Sequence, residues 1–170
     1  MIEIYTDGGC SGNPGPGSWA YVIIRNEELG IRNGESGMRN GGEPVILAEC
    51  FGAEKSTTNN RMELLAVISG LEALPSLRPA GEKVTVFTDS QYVEKGMTLW
   101  INKWKSNGWK TSGKIPVKNQ DLWQRLDSAA ITAAIAAGIP LAWTWVKGHA
   151  GNKFNERCDD LTQKAIASRK

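Results

Sequence analysis

Apolar and polar positions along the chain follow two periods, one of strands and one of helices. Residues 2–7, with the apolar run Ile2-Glu3-Ile4-Tyr5-Thr6, read as a strand, and Trp19–Arg25 alternates as a second. The glycine- and proline-dense stretch Gly8–Gly17 between them reads as a loop, so the chain is expected to open on an antiparallel hairpin. Asn26–Lys55 holds six glycines and no clear period, apart from Val45–Phe51, which has the composition of a third strand. Thr57-Thr58-Asn59 offers N-cap side chains for a helix over about Asn60–Leu74, stopped by Pro75 and Pro79. Lys83–Thr88 reads as a buried strand. Ser90–Met97 and Thr98–Ser106 read as helical pieces broken by Gly96 and Gly108. Asn119–Ala137 carries the helical stripe Leu122, Leu126, Ala129, Ala130 and Ala133, closed by Gly138 and Pro140. A strand over Leu141–Val146, a loop at Gly148–Lys153 and a helix over Phe154–Ser168 complete the chain. Strands first, then strands alternating with helices, predict an α/β domain with a mixed sheet. Without repeats or a linker, residues 1–170 are expected to form one domain.

Four carboxylates interrupt this pattern. Asp7 ends the first apolar run, Glu63 lies inside the apolar stretch Met62–Leu74, Asp89 ends Val84–Thr88, and Asp159 follows Cys158 on the last helix. Each has an ordinary reading. Asp7 before Gly8 is a turn residue, Asp89 before Ser90 a helix N-cap, and Asp159 a first-turn acid near a helix start. Glu63 is harder to dismiss, because its helical neighbours Ala66, Val67, Gly70 and Leu71 form a core-facing strip, and Arg61 is too close in sequence to share its face. Together, two carboxylates at strand ends and two near helix starts can converge at one edge of a sheet, where α/β proteins build sites. Carboxylates withdrawn from water without matching arginines call for hard cations. Two Mg²⁺ ions held there would clamp an in-line phosphoryl displacement.

Composition adds little. Hydrophobic content of 41% and charged content of 22% are those of an ordinary globular protein. No apolar run approaches the length of a membrane span, and no signal-peptide pattern opens the chain, so a cytoplasmic protein is expected. Cys10, Cys50 and Cys158 are too few and too scattered for a disulfide framework or a zinc site. The single histidine, His149, excludes a histidine-rich metal centre. It lies between glycines in Val146–Gly151, as either an exposed loop residue or a proton carrier beside the carboxylates.

Net charge is only +2, yet Lys95–Lys118 holds six lysines and no acid, with Trp100, Trp104 and Trp109 interleaved. Such a segment suits a polyanion. Trp100 and Trp104, four apart, read as packing. Trp109, beside Gly108 and Lys110, reads as the better contact residue, and Trp143 and Trp145 read as core. Gly15-Pro16-Gly17-Ser18-Trp19-Ala20 matches a dinucleotide-binding pattern, but a strand follows it where a helix is needed, and that reading is rejected.

The chain resembles the type 1 ribonuclease H family, the bacterial ribonuclease HI kind. The resemblance rests on Tyr5–Gly8, Gly12–Gly17, Thr57–Leu64, Thr88–Val93, Gly108–Thr111, Pro116–Asn119, Asp121–Trp123, Trp145–Gly151 and Asn155–Asp159, in the family's order. It implies a five-stranded mixed β-sheet flanked by α-helices, and Mg²⁺-dependent hydrolysis of the RNA strand of RNA–DNA hybrids, with Mn²⁺ as a possible substitute. The implied metal-binding carboxylates are Asp7, Glu63, Asp89 and Asp159, with His149 assisting proton transfer or product release. Products would carry a 5′-phosphate and a 3′-hydroxyl. By the same resemblance Cys10, Asn13, Asn59 and Gln91 touch the hybrid near the active site, where polar groups can read the 2′-hydroxyl. Thr58 joins Asn13 in a DNA-phosphate pocket. Lys95–Lys118, with Trp100, Lys105, Trp109 and Lys110, forms the basic protrusion that follows the DNA strand. A monomer without membrane association is expected.

Two departures stand out. Asn26–Lys55 is longer than in typical bacterial members, and Ser106-Asn107 occupies a place that is often basic, so the protrusion is expected to grip less firmly. The hybrid-binding domain of some relatives has no counterpart in the sequence. A non-catalytic hybrid binder of the same fold is the alternative, disfavoured because a pure binder gains nothing from clustered negative charge beside phosphates. A DNA-directed nuclease or strand-transfer enzyme is a third reading, less consistent with Asn13, Asn59 and Gln91.

Overall fold

Ile2, Ile4 and Tyr5 are all buried because their strand is central and covered on both faces. This strand, β1 (Ile2–Cys10), runs antiparallel to β2 (Gly15–Arg25) on one side and parallel to β4 (Val84–Thr88) on the other. The computed structural model describes residues 1–26 and 42–168. With β3 at Val45–Thr57 and β5 at Ala142–Trp145, the described residues form a five-stranded mixed sheet in the order β3-β2-β1-β4-β5. The alternation of side chains along β1 divides the core in two. Ile2 and Ile4 pack with residues of α1 (Asn59–Ala73) and α4 (Gln120–Ala137), among them Leu64, Val67, Leu71, Leu126 and Trp123. Tyr5 packs on the opposite side with Ala20, Val22, Ile24 and with Cys158 and Leu161 of α5 (Lys153–Ala167). It also stacks on Phe87 at 4.8 Å.

The helices begin and end where local chemistry dictates. Thr58 caps α1 by accepting from the Arg61 amide, and a 3₁₀ turn over Leu74–Leu77, with Pro75 inside it, ends the run. In α4 the expected stripe is buried at Leu122, Leu126, Ala129 and Ala133, and Ala130 lies at its margin. Asn152 caps α5 by accepting from the amides of Phe154 and Asn155. No helix among the described residues is long and apolar enough to cross a membrane.

Several sequence expectations need correction. The loop expected over Gly8–Gly17 is mostly strand, because cross-strand pairing of Cys10 with Gly17 carries the ladder through the glycines. β3 runs on to Thr57, well past Phe51, because its pairing with β2 continues to Gly15. Gly96 does not break the helical pieces. α2 (Gln91–Lys95) passes through a π-type turn, Gly96–Trp100, directly into α3 (Ile101–Ser106). The glycine is there for contact, since the Trp123 ring lies 1.9 Å from where a Cβ would stand. Trp145 is not core: it is 42% exposed, whereas Trp143 packs against the first core. Residues 27–41 of the long region lie outside the described residues.

Candidate active site

The site is assembled from four elements. Thr6 pairs with Thr88 across the parallel β1–β4 ladder, so the next residues, Asp7 and Asp89, emerge side by side at the carboxyl edge of the two strands. Gly8 allows α1 to approach this edge, because a Cβ there would stand 2.4 Å from the Met62 carbonyl carbon and 2.5 Å from the Glu63 amide nitrogen. That contact brings the turn carrying Glu63 against β1. From the other face α5 brings Asp159 close, and Thr162 Oγ1 lies 3.3 Å from Asp7 Oδ2 and 2.8 Å from the Asp159 carbonyl. All four carboxylates are half-buried.

Their charges act on one another. Burial first, then the negative charges of Asp89 and Asp159, push the Asp7 carboxyl up to about 6, while Thr162 and the Gly8 amide oppose the shift. Burial raises Glu63 as well, with added repulsion from Asp89 and Asp7, against hydrogen bonds from Ser90 Oγ and, at 2.9 Å, from Asn59 Nδ2. Asp89 is raised chiefly by burial. Four arginines are engaged with other acids: Arg61 with Asp121, Arg157 with Glu49, Arg25 with Glu82 and Arg125 with Glu72. Among the described residues no lysine or arginine forms an ion pair with the four carboxylates, and the imidazole Nδ1 of His149 lies 4.0 Å from Asp159 Oδ2. Hard oxygen donors with uncompensated charge fit divalent cations. The side chains are not, however, drawn into a closed cage, since no three carboxylate, thiol or imidazole groups among the described residues form a ready cation site.

Two ordinary readings of these acids fail on inspection. Ser90, not Asp89, is the N-cap of α2, accepting from the Val93 amide. Asp159 lies in the second turn of α5, whose first-turn acid is Glu156.

The other predicted residues lie on the β1–β2 turn, the start of α1 and the start of α2. Cys10 is half-buried, its thiol 3.2 Å from the Gly15 carbonyl and 3.3 Å from that of Thr57. Asn13 is exposed in the β1–β2 turn, and Gln91 is exposed at the start of α2. Thr58 and Asn59 open α1, one as its cap and the other bonded to Glu63. Farther off, Trp100, Trp104, Lys103, Lys110 and Thr111 line a groove of about 330 Å³. The indoles of Trp100 and Trp104 lie 5.7 Å apart. Lys105 is turned away into an ion pair with Asp127 at 3.0 Å. Trp109 also departs from expectation. It has φ 62° and packs against the core, with its ring 6.4 Å from that of Trp104, so it supports the groove rather than standing free.

Sequence reasoning missed four residues. Lys103 lines the groove. Ser90 bonds Glu63, Thr162 bonds Asp7, and Trp145 donates from Nε1 to the Asp89 carbonyl at 2.9 Å. Ser90 was detectable as a capping residue and Thr162 by its i+3 spacing from Asp159. Trp145 gave no signal, because the alternation of β5 places it on the same face as Trp143.

Comparison with known proteins agrees with this geometry. The RNase H family profile matches residues 1–167. The chain is 50% identical over 168 residues to a ribonuclease H of Chromobacterium violaceum, covering 98% of this chain and 95% of that protein. It is 52% identical over 160 residues to a ribonuclease H of Ruegeria pomeroyi, covering 94% and 88%. Among solved structures, LC9-RNase H1, a type 1 RNase H with the type 2 active-site motif, superposes with a TM-score of 0.74 at 31% identity, covering 99% of this chain and 73% of that one. LC11-RNase H1, solved in complex with an RNA/DNA hybrid, gives a TM-score of 0.64 at 25% identity over 99% of both chains. The chain therefore belongs to the ribonuclease H family of hydrolytic nucleases.

Proposed function

We propose that this chain is an endoribonuclease that hydrolyses the RNA strand of RNA–DNA hybrids by a two-metal-ion mechanism, leaving 5′-phosphate and 3′-hydroxyl ends. We further propose that residues 1–170 act as one catalytic domain, as a cytoplasmic monomer. The observation that carries the reading is the convergence of four half-buried carboxylates from β1, α1, β4 and α5 without an arginine or lysine partner among the described residues. Such a cluster is unfavourable in the free protein and gains its compensation from cations. Ribonucleases H generally depend on divalent metals, and one structural neighbour was solved with an RNA/DNA hybrid.

Asp7, Glu63, Asp89 and Asp159 would hold Mg²⁺, or Mn²⁺ in its place. Bound divalent cations would supply activation of water and relief of negative charge at the scissile phosphate and the leaving oxygen. The protein's own residues do the rest. The oxygen of water adds at phosphorus, the P–O3′ bond breaks, and the new oxygen stays on the 5′-phosphate. His149, 78% exposed on the loop beside Asp159, would carry the proton released from water, or protonate the leaving 3′ oxygen. Cys10, Asn13, Asn59, which bonds Glu63, and Gln91 would meet the hybrid, their polar side chains suited to a 2′-hydroxyl. Asn13 and Thr58 would hold a DNA phosphate. The groove of Trp100, Lys103 and Lys110 would track the DNA strand, with Trp109 supporting it and Lys105 joining once its ion pair opens.

The test is cleavage of a labelled RNA–DNA hybrid with Mg²⁺ and with EDTA, beside double-stranded RNA, double-stranded DNA and single-stranded RNA. Metal-dependent cutting of the hybrid's RNA alone is expected. Binding without cutting would overturn the catalytic reading.

A further inference from the structure

Thr162 is 4% exposed and lies one turn beyond Asp159 on α5. Its hydroxyl has one proton and two acceptors, the Asp159 carbonyl at 2.8 Å and Asp7 Oδ2 at 3.3 Å. The carbonyl also takes the main-chain bond of the helix interior, whereas an ionised carboxylate is the stronger acceptor. The same helix is tied to the same strand one turn earlier, where Cys158 Sγ lies 3.3 Å from the Tyr5 carbonyl. A thiol is a weak donor, and that contact reaches only main chain. Thr162 is thus the α5 side chain that links the carboxylate of β1 to the backbone of the turn bearing Asp159.

We propose that Thr162 is a positioning residue: it registers α5 against β1 and, by holding one oxygen of Asp7, sets the affinity of the carboxylate cluster for a divalent cation. This rests on the reading of the cluster as a cation centre. The competing account is a helix threonine that merely bonds back to the carbonyl three residues earlier. The two accounts differ in what a valine would do. Valine keeps the branched shape and removes the donor, which leaves Asp7 with the Gly8 amide.

The experiment is calorimetric titration of the full chain with MgCl₂ in the absence of nucleic acid, for the parent, Thr162→Val and Thr162→Ser. It is paired with the Mg²⁺ requirement and the KM for hybrid in cleavage assays. Outer hydrogen-bond partners of ligand side chains are worth at least about tenfold in metal affinity, so Thr162→Val is expected to weaken Mg²⁺ binding about tenfold. The Mg²⁺ concentration for half-maximal cleavage should rise by the same factor, with KM for the hybrid unchanged. Thr162→Ser, which keeps the hydroxyl, should restore both. Mg²⁺ binding by the valine variant equal to the parent's, while the parent binds Mg²⁺ and cleaves, overturns the positioning role alone. A serine variant as weak as the valine variant overturns it too, by assigning the effect to the methyl group. A parent chain that takes up no Mg²⁺ overturns the cation-centre reading and the positioning role with it.

Discussion

The carboxylates of the candidate site and those of the rim have the same chemistry and opposite surroundings. On the rim, Asp121 accepts a two-pronged contact from Arg61 at 2.8 and 3.0 Å, and Glu49 one from Arg157 at 2.7 and 3.0 Å. Both carboxyls are held below the usual carboxylate range, first by those hydrogen bonds. In the site, Asp7, Glu63 and Asp89 are raised above that range by burial. The rim acids face solvent and contribute modestly to stability. The site acids work against stability until a cation arrives. A fold that pairs Arg25, Arg61, Arg125 and Arg157 with rim acids leaves the central charge free for chemistry.

The comparison can be broken most directly at Asp89. Asp89→Asn is expected to lower hybrid cleavage at least a hundredfold, on the order of the ~3 kcal/mol lost with one electrostatic group at a reacting centre, while hybrid binding persists. Gel-shift and single-turnover cleavage assays read the two separately, and comparable turnover by the variant would sink the metal-ligand assignment.

A stability measurement sharpens it next. With its folded pKa raised from 3.8 to about 6, Asp7 leaves stability intact below the unfolded value, and stability is lost as pH rises through about 6. Asp7→Asn should therefore stabilise the cation-free protein by roughly 2 kcal/mol above pH 7. The gain should fade below pH 4 and shrink when Mg²⁺ is added to both proteins. Urea unfolding with EDTA across pH 4–8 checks this, and a variant less stable than the parent at pH 8 would contradict it.

The basic groove comes third. Replacing Lys105 and Lys110 with Ala is expected to weaken hybrid binding and flatten its salt dependence, by about one unit of slope for each phosphate contact removed. Because Lys105 is paired with Asp127 and Lys110 lines the groove, the Lys110 change should account for most of the effect. An unchanged slope for the double variant would remove the groove from the binding face.

The smallest effect belongs to the rim. Asp121→Asn should cost no more than about 1 kcal/mol at neutral pH, since its partner pair is largely exposed. The folded pKa of Asp121 is lowered, so the contribution is present above the unfolded value and is lost as pH falls through the folded one. Stability of the variant and parent should converge once pH falls well below the ordinary aspartate range. A loss as large at pH 2 as at pH 7 would mean that packing, rather than charge, holds Arg61 and Asp121 together.

Much of this fold was legible in the sequence. Glu63 announced itself because a charged residue in an apolar helix breaks the 3.6-residue period, and the end of β4 just before Asp89 followed from a β-rich run meeting a helix start. The errors came where distant contacts override local preference. The glycines of Gly8–Gly17 read as loop, but the β1–β2 ladder recruits most of them. Gly96 read as a break, but Trp123 from α4 fills the space beside it and the helical path continues. Trp145 read as core because of its apolar ring, and its role as a donor to the Asp89 carbonyl depends on strands far apart in sequence.

By itself the sequence determined most of the elements and the family, and named the four acids as candidates, because periodicity, capping and motif order are local and survive without coordinates. Tertiary structure alone decided which charges go unpaired. Arg61 lies two residues from Glu63 yet meets Asp121, and Thr162 lies far along the chain from Asp7 yet bonds it. Electrostatic compensation acts through space over a few ångströms, and only the packed sheet and helices set those distances.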